Sequence, residues 1–267
     1  MRAGMLLIHG VGCGGDAWDR MAKTFREAGH EVRAPTLFPE LRTVEPPPPG
    51  LCDLRLQDYV DAMSDVAAEM ERQSGAKPIV IGHSMGGLIA QHLAAEGDAS
   101  AAVFLTPAQP KGCTVFAFSP LRTFSVLLKI GRKKLPVTPV KVGRKGLAWG
   151  VLNGVDPSRH DELYAQMRYD SGRVYVDLME PDPIDESRVH IPTLTIAAGK
   201  DRATIPKAVR KVGQKYARSP VPGAFREYPD FAHMILDEPG TEQVAADILD
   251  WIEKVLPTGK VERTGTG

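Results

Sequence analysis

Ser84 stands between two glycines in the run Gly82-His83-Ser84-Met85-Gly86. A serine hydroxyl is a weak nucleophile near neutral pH. To attack a carbonyl it needs a base within hydrogen-bond reach and a third group to orient that base. The flanking residues give it a setting. Pro78-Ile79-Val80-Ile81 reads as a short apolar strand, and Gly87-Leu88-Ile89-Ala90-Gln91-His92-Leu93 opens a helix. Strand, glycine-flanked serine and helix form the context of a nucleophile elbow. The turn is sharp enough that side chains at 82 and 86 would clash, which glycine avoids. The bland alternative is a Gly-Ser turn with no chemistry.

Partners for Ser84 must lie on loops at the carboxyl ends of strands, where open α/β sheets place their sites. Their order in such a chain is serine, acid, histidine. Asp201 fits the acid, because it follows an apolar run at 193–197 through Ala198-Gly199-Lys200. The competing role for Asp201 is a turn or helix cap. His233 fits the base, in the loop Pro229-Asp230-Phe231-Ala232-His233-Met234 after the last strand-like run. The other six histidines, at 9, 30, 83, 92, 160 and 190, all precede the acid. Asp230 is the rival acid, but it shares the loop of His233 and is poorly placed to orient it. The oxyanion formed on attack needs preorganised donors. The Met85 amide is one. The second is expected from His9-Gly10-Val11-Gly12-Cys13-Gly14-Gly15, at Val11, with Gly12 as substitute. This loop lacks the spaced glycines and later acid of a dinucleotide cradle. Cys13 has no activating base nearby in the sequence and reads as a small packed residue.

Short apolar runs alternating with longer amphipathic ones must position these residues, and that pattern predicts an α/β fold. Strands are expected at Met5–His9, Glu31–Ala34, Pro78–Ile81, Ala101–Leu105, Thr193–Ala197 and Phe225–Tyr228. Helices are expected at Asp16–Ala28, Leu56–Gln73, Met85–Glu96, Pro206–Ala217 and Gly240–Val255. In the second, Tyr59, Met63, Val66 and Met70 recur at helical spacing. The run Pro46-Pro47-Pro48-Pro49-Gly50 reads as an extended surface loop. The alternation breaks between residues 111 and 185, a stretch too long for a loop. It carries its own aromatic and aliphatic residues and is expected to be an inserted helical cap. Residues 1–110 and 186–267 then form the core. From Ala99 through Val155 there are nine basic residues and no Asp or Glu. That is either a solvated face or an attraction to an anionic substrate, partner or membrane surface.

The 267 residues carry 33 basic and 33 acidic side chains, so no overall pull toward nucleic acid is expected. Hydrophobic content of 43% suits a globular domain with a large core. Three cysteines, Cys13, Cys52 and Cys113, show neither disulfide nor zinc spacing. The N-terminus lacks the apolar stretch of a signal peptide. Together these favour a cytoplasmic location with reduced thiols.

With His9-Gly10, Gly82–Gly86, Asp201 and His233 in this order, the chain resembles the α/β-hydrolase superfamily, from about Met5 to Val255. The elbow with Met85-Gly86-Gly87 looks most like esterases and lipases. The resemblance implies that Ser84, Asp201 and His233 are nucleophile, acid and base, and that Val11 and Met85 form the oxyanion hole. It implies a mostly parallel sheet flanked by helices, with a variable cap that shapes the substrate pocket. The family's N-terminal antiparallel hairpin has no room before Met5, so about six strands are expected rather than eight. Haloalkane dehalogenases and epoxide hydrolases on this fold use Asp where this chain has Ser84. The expected reaction is ester cleavage on a small apolar or aryl substrate, without metal or organic cofactor. A lactone or a carbon–carbon bond could be cleaved by the same three residues, and a non-catalytic binding protein could retain the fold.

Overall fold

Alternation along the strands decides the layers. In a computed structural model that describes residues 3–256, strand β1 (Met5–Ile8) is buried on both faces. Leu6 and Ile8 point to one side, with Val80, Ala102 and Phe104 of β3 (Ile79–His83) and β4 (Ala101–Leu105). Met5 and Leu7 point to the other, with Ile79, Ile81, Ala101, Val103 and Leu105. A period of two with apolar residues on both faces demands helices above and below, as in parallel sheets.

Those helices are supplied in order. α1 (Asp19–Glu27) and α10 (Thr241–Val255) cover the Met5 face through Met21, Phe25, Ile248 and Ile252. α2 (Leu56–Ser74), α3 (Met85–Glu96) and α9 (Pro206–Tyr216) cover the Leu6 face through Tyr59, Met63, Leu88, Ile89, Val212 and Tyr216. α2 ends at Gly75, whose φ of 77° is the left-handed C-cap that glycine adopts most easily. The sheet is completed by β2 (Val32–Arg33), β5 (Thr193–Ala198) and β6 (Ala224–Tyr228). Its order is β2-β1-β3-β4-β5-β6, and every pairing is parallel. The fold is therefore the expected α/β architecture with six strands.

Two elements differ from the sequence pattern. The run from Asp16 to Ala28 is divided into a 3-10 turn at Gly15–Trp18 and α1. The tighter turn tucks Trp18 fully into the core. β2 shrinks to two residues, because only Met5 and Leu6 of β1 lie opposite it.

Between β4 and β5 the chain leaves the sheet. It forms α4 (Phe118–Thr123), α5 (Ser125–Ile130), α6 (Arg144–Gly150), α7 (His160–Gln166) and α8 (Gly172–Met179). This insertion has its own apolar cluster, with Leu135, Val140, Val142, Leu147, Leu152 and Met167 at its centre. Met234, from the loop after β6, packs into the same cluster and ties it to the sheet. No described helix is long and apolar enough to cross a membrane.

Candidate active site

Strand β3 ends at His83 and α3 begins at Met85, leaving Ser84 alone in the turn. Its φ of 56° and ψ of −118° lie outside the ordinary regions for a side-chain-bearing residue. Such a conformation persists only where surroundings impose it. They do so here by close approach. A Cβ at position 82 would lie 2.0 Å from the Gly86 carbonyl oxygen, and one at 86 would lie 2.0 Å from that of Ile8. The turn is anchored by the Ser84 amide donating to Leu105 O at 3.1 Å and by Ala108 N–H donating to Ser84 O at 2.8 Å.

Ser84, Asp201 and His233, separated by up to 149 positions, meet at the carboxyl edge of the sheet. Ser84 Oγ lies 3.1 Å from His233 Nε2. His233 Nδ1 lies 2.8 Å from Asp201 Oδ2. A carboxylate only accepts, so His233 donates from Nδ1, and Nε2 is left to accept the serine proton. All three side chains are buried. Asp201 is held rigidly: its Oδ1 accepts the Ala203 and Thr204 amides at 2.7 and 2.9 Å. Thr204 Oγ1 sits 2.8 Å from Asp201 Oδ2 and 2.8 Å from the Thr106 carbonyl. Thr204 was not singled out in the sequence; its signal is the position three residues after an aspartate in a turn. Asp230, the rival acid, is exposed and pairs with Lys200 at 3.1 Å.

His83 packs beside His233 with ring centroids 4.9 Å apart, and its Nε2 donates to the His233 carbonyl at 2.9 Å. Burial first, and the neighbouring His233 second, lower its pKa to about 3. His83 therefore stays neutral and fixes the backbone of the loop that carries His233.

The loop after β1 runs across the serine. A Cβ on Gly10 would lie 2.9 Å from Ser84 Cβ and 3.4 Å from Oγ. The Gly12 amide donates to Asp170, so it is committed elsewhere. The amides of Val11 and Met85 donate to no acceptor among the described residues. For Met85 this is the ordinary state of a first-turn helix donor. The Cys13 thiol is pushed up to about 12, chiefly by burial, which leaves it a poor nucleophile.

A polar cluster that the sequence does not reveal holds this loop in place. Arg42 and Asp170 are both fully buried and form a two-point ion pair, at 2.6 and 3.0 Å. Asp170 also accepts from Tyr59 Oη at 3.1 Å and from Gly12 N–H. Arg42 donates to Cys13 O at 3.1 Å and to His9 Nε2 at 3.2 Å. His9 Nε2 accepts the Leu37 amide as well, so its proton is on Nδ1, which donates to Gly10 O at 2.9 Å. Burial, then Arg42, pushes the His9 pKa well below its ordinary value. The cluster joins the β1 loop, the β2–α2 connection and the insertion.

A cavity of about 340 Å³ opens onto Ser84 and His233. Val11, Phe124, Leu147, Leu152, Met167 and Met234 give it apolar walls. Its charged lining is largely self-paired, Arg159 with Asp237 at 2.8 Å and Arg168 with Asp16 at 3.1 Å. Among the described residues no cluster of three His, Cys, Asp or Glu side chains is placed to hold a metal ion.

Comparison with known proteins agrees with this architecture. The model of the "Alpha/beta hydrolase family" matches residues 5–246. No curated protein matches the chain by sequence. Among solved structures, the monoacylglycerol lipase of Paleococcus ferrophilus superposes with a TM-score of 0.69 at 20% identity, covering 94% of this chain and 93% of that one. A pyrethroid hydrolase from Sphingobium faniae gives 0.69 at 20% identity, covering 94% and 97%. Tomato methylketone synthase I gives 0.72 at 18% identity, covering 96% and 99%. At these identities the likeness is one of fold.

Proposed function

The chain belongs to the alpha/beta hydrolase family, and from that premise we propose that it cleaves carboxylic esters through an acyl-enzyme on Ser84. The observation that carries the reading is the continuous chain Asp201–His233–Ser84, with contacts of 2.8 and 3.1 Å, at the floor of an apolar cavity.

In this scheme His233 Nε2 takes the Ser84 proton as Oγ attacks the ester carbonyl. Asp201 holds the imidazole and stabilises its cation. The free amides of Val11 and Met85 receive the oxyanion. His233 then gives its proton to the leaving alcohol, and water repeats the sequence on the acyl-enzyme. The insertion acts as a cap that closes the cavity over Ser84. Its apolar walls and a volume near the lower end for small-molecule sites favour a small apolar or aryl ester.

Labelling with a fluorophosphonate probe, beside a panel of p-nitrophenyl esters of rising chain length, tests this. Wild-type protein is expected to be labelled and to hydrolyse the shorter esters. Ser84→Ala is expected to abolish labelling and lower kcat on the order of a millionfold. Full esterase activity in Ser84→Ala would remove the assignment.

A further inference from the structure

The insertion carries a surface that ester cleavage does not use. Seven large hydrophobic side chains are exposed among the described residues, and five of them lie between positions 116 and 137. Phe116 is 90% exposed, Phe118 75%, Leu128 67% and Val137 68%, with Leu121 also exposed. Single exposed apolar residues are ordinary on a protein surface, but a concentration of large ones marks an interaction site. The charge in the same stretch is one-sided. Residues 111–137 contain Lys111, Arg122, Lys129, Arg132, Lys133 and Lys134, and no Asp or Glu.

The basic residues divide by what they touch. Arg132 pairs with Glu180, and Arg122 lies 4.1 Å from the centre of the Trp149 ring. Lys129, Lys133 and Lys134 are exposed and have no ion-pair partner among the described residues. Their positive charge is therefore available outward, beside Leu128 and Val137. α4 carries Phe118 and Leu121, α5 carries Leu128 and Lys129, and the flanking segments carry Phe116, Lys133, Lys134 and Val137.

We propose that the 116–137 face of the insertion docks on an anionic lipid surface. Phe116, Phe118, Leu121 and Leu128 enter the boundary between headgroups and acyl chains, while Lys129, Lys133 and Lys134 meet the phosphates. Exposed aromatic and aliphatic side chains with lysine around them are what interfacial binding requires. A nucleic-acid duplex would answer the lysines with its phosphates, but its bases are stacked away from the phenylalanines. An acidic protein would need a shaped apolar partner surface for each of them, whereas a lipid surface needs none. The attachment is peripheral and independent of the chemistry at Ser84.

Co-sedimentation of the full chain with sonicated vesicles tests the proposal. Binding to phosphatidylcholine containing 30% phosphatidylglycerol is expected to exceed binding to pure phosphatidylcholine, and to weaken as salt rises from 0.05 to 0.5 M. Each lysine near such a surface strengthens partitioning by roughly fivefold. Lys129→Gln/Lys133→Gln/Lys134→Gln together should lower it by roughly a hundredfold. Phe116→Ser/Phe118→Ser should lower binding to both vesicle types. Circular dichroism melting should leave both variants at the wild-type Tm, since none of these side chains is in the core. Absence of wild-type binding to either vesicle would overturn the proposal, as would binding unchanged in both variants. A wild-type dimer in sedimentation, dispersed by Phe116→Ser/Phe118→Ser, would also overturn it and assign the face to a second copy of the chain.

Discussion

Removing the carboxylate of Asp170 should expose how much the buried cluster contributes. Asp170 and Arg42 are fully buried, and their two contacts are 2.6 and 3.0 Å long. Burial alone would lower the Arg42 pKa, yet Asp170 more than offsets it, and the pKa stands raised. In Asp170→Ala the guanidinium keeps its charge and loses its counter-ion. It retains only the Leu37 and Cys13 carbonyls and His9 Nε2. Tyr59 Oη and the Gly12 amide lose their acceptor as well. Breaking one side of a buried ion pair costs about 3–5 kcal/mol. Total stability of a domain is only about 5–15 kcal/mol. At about 2–4 °C per kcal/mol for a chain of this size, Tm should fall by roughly 6–20 °C. Arg42→Met added to Asp170→Ala removes the stranded charge and should recover about 2 kcal/mol or more relative to the sum of the single changes. Urea unfolding of wild type, both single variants and the double variant provides the cycle. Simple additivity, with the double variant losing the sum of the two single losses, would refute the reasoning.

The remaining expectations concern the candidate triad and acid stability. Asp201→Asn should lower kcat on the order of ten-thousandfold with KM little changed, because the His233 tautomer is no longer fixed. If Asp230→Asn did this instead, the acid would be misassigned. His9 and His83 are buried neutral, with pKa values lowered mainly by burial, that of His83 to about 3. The unfolded chain protonates them near pH 6.5, so it binds more protons than the folded chain below that pH. Stability is then complete above pH 6.5 and falls as pH falls. At pH 5 the loss from His83 should be about 2 kcal/mol, and His9, lowered in the same direction, adds to it. Urea unfolding at pH 7 and pH 5 measures it, and equal stability at both would contradict the burial of neutral imidazoles.

Much of the sheet was legible because its signals are local. Short apolar runs such as Met5-Leu6-Leu7-Ile8 and Ala101-Ala102-Val103-Phe104-Leu105, alternating with longer amphipathic ones, read as strands covered on both faces, and they are. The Gly82–Gly86 turn states its own geometry, since no residue larger than glycine fits at 82 or 86. Chain order then singled out Asp201 and His233. Boundaries were less legible where tertiary packing overrides periodicity, as in the 3-10 turn that buries Trp18. The sequence put Val11 first and kept Gly12 as a substitute donor; the contact that commits the Gly12 amide elsewhere is to Asp170, 158 positions away.

The sequence by itself determined the layered α/β plan, the strained turn at Ser84 and the two residues, Asp201 and His233, to consider with it. Periodicity and glycine placement act over a few residues, so they can be read without knowing the partners. Only the tertiary structure decided how the loop over Ser84 is held and which of its amides remain free. Arg42, 128 positions before Asp170, meets it in a fully buried pair that also binds the Gly12 amide. A buried charge is tolerable only when a matching one is folded against it, and nothing local in either segment announces that match.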